Sequence, residues 1–308
     1  DRDRRDRYML AHLLRSILFV MFAVGCACLW FFRAEAWWLA WAGFWFPPVA
    51  LASVLALEFA LAAVVNRADP APRAGVRNWF IAWSRELWTA LKVFGWWMPF
   101  GQRTVPDFPP VAVTGQTGVV FVHGFFCNRG IWTPWLKILR KEGRAFSAIN
   151  LEPVLGSIDH YASQVDVAVS RVTAATGRPP VVICHSMGGL AVRAWLRSAG
   201  PAADQRILRV ITLGTPNSGT WLARFVRVAN GRQMRHRGAW VRQLEAGEPA
   251  HRFTRFTCWY SNCDNVVFPA STATLAGADN RLASGLAHVE LALDPEVMRC
   301  CLEGIRAS

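Results

Sequence analysis

The chain has 308 residues, of which 53% are hydrophobic and only 18% charged, and its 34 Lys and Arg against 21 Asp and Glu leave a formal net charge of +13. That is too apolar for an ordinary soluble domain, and the length allows one large core plus an appendage. The positive balance invites nucleic acid, but no recognition motif accompanies it and the arginines flank apolar runs, so an anionic membrane surface is the better partner.

The apolar excess lies early: ten of the 16 Trp residues stand at or before Trp97. From Met9 to Phe32 the chain is apolar apart from His12, Arg15 and Ser16, long enough to cross a bilayer, which takes about 20 helical residues. A signal peptide is the rival reading, but the run is longer than an h-region and no small-x-small cleavage site precedes the next apolar stretch. Asp1 in place of Met leaves room for an upstream segment. A second apolar stretch follows, divided by Pro47-Pro48. Proline suits the first turn of a helix, so a second span is expected from there to Val65, with Trp37, Trp38, Trp41 and Trp45 at the headgroup level.

Arg2, Arg4, Arg5 and Arg7 precede this hairpin, Arg67, Arg73, Arg77 and Arg85 follow it, and Arg33 alone lies in its loop. The positive-inside rule then places both ends, and whatever follows, on the cytoplasmic side of a membrane, such as a bacterial inner membrane. Arg15 and Glu58 are the ionisable groups inside the spans. They lie at similar depth and either pair with each other or stand alone, Arg15 snorkelling and Glu58 protonated.

Residues 1–67 are thus read as a membrane anchor. Residues 68–110 form an aromatic segment and a Pro-rich linker. Trp79, Trp83, Leu87 and Leu91 recur at helical spacing, which suits a helix in the membrane interface or one packed on the following domain.

From Val111 to Ser308 the pattern changes. Val119–Val122, Ala145–Leu151, Val181–Ile183 and Ile207–Leu213 read as strands, and Trp132–Lys141, Asp159–Ala175 and Leu190–Ser198 as helices. Such alternation implies an α/β domain with a parallel sheet covered on both faces. The eight cysteines of the whole chain show no zinc-ligand pairing, and they read as buried thiols, with a Cys258–Cys263 bridge as the alternative in an oxidising compartment.

The strongest local signal is Val181-Val182-Ile183-Cys184-His185-Ser186-Met187-Gly188-Gly189, a strand running into a serine and then into two glycines that open a helix. A serine lifted on such a turn needs small residues two before and two after it; Gly188 satisfies this, and Cys184 stands where Gly is usual. Ser186 is the candidate nucleophile.

Upstream, Val119 to Phe125 is a strand ending in His-Gly-aromatic, and this segment resembles the oxyanion-hole loop of α/β-hydrolase lipases and esterases. The resemblance implies an oxyanion hole made by the backbone N–H groups of Phe125 and Met187, with His123 orienting the loop. Trp259 to Pro269 resembles that family's acid loop and nominates Asp264 ahead of Asp279 and Asp204. Gly285-Leu286-Ala287-His288, followed by Asp294-Pro295-Glu296-Val297, resembles its histidine loop and nominates His288 ahead of His251. His160, His185 and His236 are expected to be bystanders. Leu213 to Thr220 is also lipase-like, although Asn217 stands where a His is common.

The resemblance implies an α/β-hydrolase fold preceded by an α-helical transmembrane hairpin. It also implies a Ser186-Asp264-His288 triad acting on an acyl lipid ester, with no cofactor, no metal and no obligate protein partner. Acyl transfer by the same triad, or a non-catalytic membrane module that kept the fold, are the alternatives. Six arginines and no acidic residue between Arg224 and Arg242 suggest a surface for anionic headgroups, or a merely solvated face.

Overall fold

The computed structural model describes residues 9–34, 36–108 and 115–307. The arginines at positions 2, 4, 5 and 7, Pro109, Pro110 and the expected domain start at Val111 lie outside the described residues.

Two apolar runs become the helices α1, Met9–Phe32, and α2, Trp37–Val65, which pack side by side as a hairpin. Both are long and apolar enough to cross a membrane. Small residues let them approach: a Cβ added to Gly43 would stand 2.6 Å from the Cys28 side chain, and one on Gly25 would stand 3.2 Å from the Phe44 ring. Close backbone approach at small residues is how apolar helices associate without a hydrophobic driving force. In the loop, the Arg33 guanidinium stacks 3.7 Å from the Trp30 ring centre.

The expected break at Pro47-Pro48 does not occur, because α2 runs through both prolines from Trp37. Two prolines remove only two amide donors, and the apolar run on either side is long enough for the helix to continue through them.

Helix α3, Val76–Lys92, continues into a wide π-type coil at Val93–Gly101. It buries Ala82, Glu86 and Ala90, while Phe80 and Trp88 on other sides are 64% and 67% exposed.

The β-branched runs then supply β1 (Val119–Val122), β2 (Phe146–Ile149) and β3 (Val181–His185), followed by β4 (Arg209–Leu213), β5 (Phe256–Tyr260) and β6 (Asp279–Leu282). They form one sheet in the order β2-β1-β3-β4-β5-β6, parallel throughout. Parallel strands need long crossovers, which supply the helices α4 (Thr133–Lys141), α5 (Ala162–Thr176) and α6 (Met187–Ser198). Short helices α7 (Ala229–Gln233) and α8 (Ala239–Ala246) precede β5, while α9 (His288–Leu291) and α10 (Pro295–Arg306) close the chain.

Side-chain alternation along each strand divides the core. On one face Phe121, Ile183 and Ile211 meet Trp135 and Leu139 of α4 and Val297, Leu302 and Ile305 of α10. On the other, Val120, Val182 and Val210 meet Val165, Val169 and Val172 of α5 and Leu190 and Trp195 of α6. Each such side chain contributes roughly 1.5–3 kcal/mol on burial. Leu10 and Leu14 of α1, with Met98, belong to the first of these clusters, so the hairpin and the sheet domain share a core. The edge strand β6 is solvent-facing and carries the Asp279–Arg281 ion pair, charges that discourage edge-to-edge pairing.

Candidate active site

The carboxyl ends of the central strands converge where open α/β sheets place their ligands. Strand β3 ends at His185, and Ser186 takes φ 53° and ψ −129° before α6 begins at Met187. A non-glycine residue held in that region is strained by about 1–3 kcal/mol and persists only where its surroundings dictate it. Here the Ser186 N–H donates to the Leu213 carbonyl at 2.9 Å, and the Ser186 carbonyl accepts from Thr215 Oγ1 at 2.8 Å. The tight turn explains the glycines. A Cβ on Gly188 would come within 2.3 Å of the Val122 carbonyl oxygen, and one on Gly189 within 2.3 Å of Thr215 Oγ1. Cys184, aligned between Val122 and Thr212, is fully buried at the position where the resemblance has Gly.

The loop after β1 lies directly against this serine, since a Cβ on Gly124 would be 2.7 Å from Ser186 Cβ. Phe125 follows, and Phe126 adopts φ 51°. Both nitrogens of His123 are committed to the backbone: Nδ1 donates to the Gly124 carbonyl at 2.9 Å, and Nε2 accepts from the Leu151 N–H at 2.9 Å. Burial lowers its pKa to about 4, so it is a neutral brace for the loop that carries Phe125.

Asp264 and His288 meet: Asp264 Oδ2 lies 2.9 Å from His288 Nδ1, with both side chains almost wholly buried. The other carboxylate oxygen accepts from the Val266 and Val267 N–H groups at 2.9 and 2.7 Å. Gly214, at φ 59°, leaves room for the pair, because a Cβ there would sit 3.1 Å from Asp264 Oδ2 and 3.2 Å from His288 Nδ1. Burial opposes the imidazolium, but the charge and hydrogen bond of Asp264 outweigh it, with Glu86 and Glu58 adding, and the His288 pKa is raised. The rival acids are engaged elsewhere, Asp204 with Arg252 at 2.7 Å and Asp279 with Arg281 at 2.7 Å. His251 is exposed, 3.9 Å from Asp204.

His185 is not the bystander expected. It is buried, its ring lies 4.7 Å from that of His288, and its Nε2 lies 3.2 Å from the His288 carbonyl oxygen. Burial and the neighbouring His288 hold its pKa well below the usual range, which keeps it a neutral packing surface for the second imidazole. Asn217 is fully buried and structural: its Nδ2 donates to the Ala273 carbonyl at 2.8 Å, and its carbonyl accepts from Arg193 at 2.7 Å. All eight cysteines are free thiols, Cys258 and Cys263 among them.

Sequence reading missed the side chains behind the histidine. Asn265 Oδ1 accepts from the His288 N–H at 3.2 Å, and its Nδ2 donates to Glu58 Oε2 at 2.8 Å. Glu86 accepts from the Val289 and Glu290 N–H groups at 2.8 and 3.0 Å, and burial raises its pKa to about 7. Of the two alternatives for Arg15 and Glu58, the pair is therefore not formed. Arg15 Nε donates to the Pro99 carbonyl at 2.6 Å, and each charge is taken by the segment packed against it. A signal for Glu86 did exist: it is a lone carboxylate in the stripe Trp79, Ala82, Trp83, Ala90, where an i, i+3, i+4 pattern calls for an apolar residue.

A parallel sheet with a serine raised on a strained turn at its carboxyl edge is the framework of a serine ester hydrolase. The family model of the alpha/beta hydrolases matches residues 119–299, more than half of the 308, and the chain belongs to that family. Among solved structures it is similar to the mature form of a Bacillus licheniformis lipase, at 16% identity and a TM-score of 0.56, over 65% of this chain and 99% of that one. It is similar also to Aspergillus fumigatus lipase B, at 18% identity and a TM-score of 0.56, over 67% of this chain and 57% of that one. No curated protein matches the chain in sequence.

Proposed function

We propose that the protein is a membrane-anchored carboxylic-ester hydrolase that cleaves acyl lipid esters through Ser186, His288 and Asp264. The observation that carries this reading is the buried 2.9 Å contact between Asp264 and His288, together with a serine held at φ 53° at the end of β3. Asp264 Oδ2 keeps the proton of His288 on Nδ1 and leaves Nε2 free to accept. His288 takes the Ser186 proton as the hydroxyl attacks the ester carbonyl, and the Phe125 and Met187 N–H groups receive the developing oxyanion. Each donor of that kind is worth about 3 kcal/mol in the transition state. His288 then protonates the departing alcohol, and water cleaves the acyl-enzyme.

The anchor is residues 1–67, with residues 68–110 joining it to the hydrolase domain at 111–308. The exposed Phe80, Trp88 and Trp96 suit the headgroup layer on the side where the arginines collect, the cytoplasmic side in this reading. Arg224, Arg227, Arg232, Arg235, Arg237 and Arg242 are all exposed and suit an anionic lipid surface. The lipases that share the fold support an ester substrate.

The test is labelling of the membrane-embedded chain with a fluorophosphonate, together with hydrolysis of a long-chain monoacylglycerol. Both activities are expected in the wild type and neither in Ser186→Ala. Persistence of ester cleavage in Ser186→Ala would remove the reading.

A further inference from the structure

Helix α9 is four residues long and carries His288 at its first position. A helix that short does not hold itself, and its leading N–H groups need partners from outside. Each has one. The His288 N–H donates to Asn265 Oδ1 and those of Val289 and Glu290 to the two oxygens of Glu86, while the N–H of Ala287, just before the helix, is capped by the helix's own Glu290 Oε2 at 3.0 Å. The conformation of the His288 backbone is therefore set by Asn265 and Glu86. Asn265 is in turn set by Glu58, because only with Nδ2 turned to that carboxylate does Oδ1 face the His288 N–H.

Glu58 and Glu86 both come from the N-terminal helices. Those helices are tied together by the Trp83 Nε1 bond to the Ala52 carbonyl at 3.1 Å and by the edge-to-face contact of Phe59 with Trp79 at 6.1 Å. The span from Trp37 to Leu57 is about 30 Å long at 1.5 Å per residue, the thickness of a bilayer core. Glu58 is thus the first residue of α2 past that length, and the turns after it bury Phe59 and Ala62.

We infer that Glu58, acting through Asn265, and Glu86 are positioning residues for His288, so that the membrane hairpin is a working part of the active site as well as an anchor. The inference rests on the reading of Ser186, His288 and Asp264 as the reacting groups. A misplacement of about 1 Å at a reacting group costs on the order of a hundredfold in rate, and that sets the expected scale.

The experiment uses the full chain in lipid nanodiscs with the soluble ester p-nitrophenyl butyrate. Glu58→Leu is expected to lower kcat ten- to a hundredfold with KM within about twofold and little change in melting temperature. Glu58→Gln, which keeps an acceptor for Asn265, is expected to recover most of that loss. Asn265→Leu leaves the membrane helix untouched and is expected to match Glu58→Leu, the double variant losing no more than either single one. A Glu58→Leu enzyme with near wild-type kcat, a Gln variant no better than Leu, or fully additive losses would each overturn the inference. Ser186→Ala run alongside separates the two ideas. If it is inactive while Glu58→Leu is fully active, only the coupling fails; if it is active, the triad itself is wrong.

Discussion

Replacing Asp264 with Asn changes one atom and tests the geometry of the acid. Oδ1 accepts from two backbone N–H groups at 2.9 and 2.7 Å, so the carbonyl oxygen of the new amide must take that place. The NH2 group then stands where Oδ2 was, 2.9 Å from His288 Nδ1, donor against donor. His288 escapes by moving its proton to Nε2, the nitrogen that must accept from Ser186. Turning the amide over restores the useful tautomer but leaves two buried N–H groups without acceptors, at about 1–3 kcal/mol each. The competent form therefore lies about 2–6 kcal/mol up, a loss of between about 30-fold and 3 × 10⁴-fold in kcat. The upper end agrees with the roughly 10⁴-fold effect of the same change in a serine protease triad.

Initial rates on p-nitrophenyl butyrate measure that loss, and a thermal melt on the same sample checks that the isosteric change leaves the fold intact. The pH profile gives a second readout. His288 must be neutral to accept a proton, and Asp264 raises its pKa, so the wild-type rate falls as pH drops through a value above the usual 6.5. In Asp264→Asn the imidazolium loses that support and the acid limb moves to lower pH. A variant that melts like the wild type, loses less than tenfold and keeps its acid limb would refute the assignment of Asp264.

Two further outcomes follow from the surroundings of the site. Arg193 on α6 holds Glu248 at 2.6 Å with both side chains fully buried, and it also donates to the Asn217 carbonyl. Arg193→Leu strands that carboxylate and is expected to cost about 3–5 kcal/mol by denaturant melts, whereas Arg193→Leu combined with Glu248→Met is expected to recover much of it. Replacing Arg224, Arg227 and Arg232 together with Gln is expected to slow lipid hydrolysis on vesicles rich in anionic lipid more than hydrolysis of the soluble ester. Equal effects on both substrates would mean that these side chains only face solvent.

The sheet and the turn were legible because the residue types they require leave a local mark in the sequence. Val119–Val122 and Val181–Ile183 are β-branched runs, and the Gly188-Gly189 pair is needed by contacts at 2.3 Å that any larger side chain would violate. The meeting of Asp264 and His288 was legible through likeness of pattern. What escaped depends on partners far away in the chain. Arg15 and Glu58 look alike in depth and opposite in charge, and the hairpin alone allows either a pair or two separate groups; Pro99 and Asn265 claim them instead. Pro47-Pro48 reads as a boundary by local rules, but the length of apolar helix around it decides otherwise. His185 is unremarkable as a residue type, and only the fold brings its ring onto His288.

Leu10 and Leu14 enter the same apolar cluster as Trp132, Trp135 and Met98. The hydrolase half completes one wall of its interior with side chains delivered by the first helix of the chain. A protease that trims α1 would leave an open, sticky flank where those leucines had been.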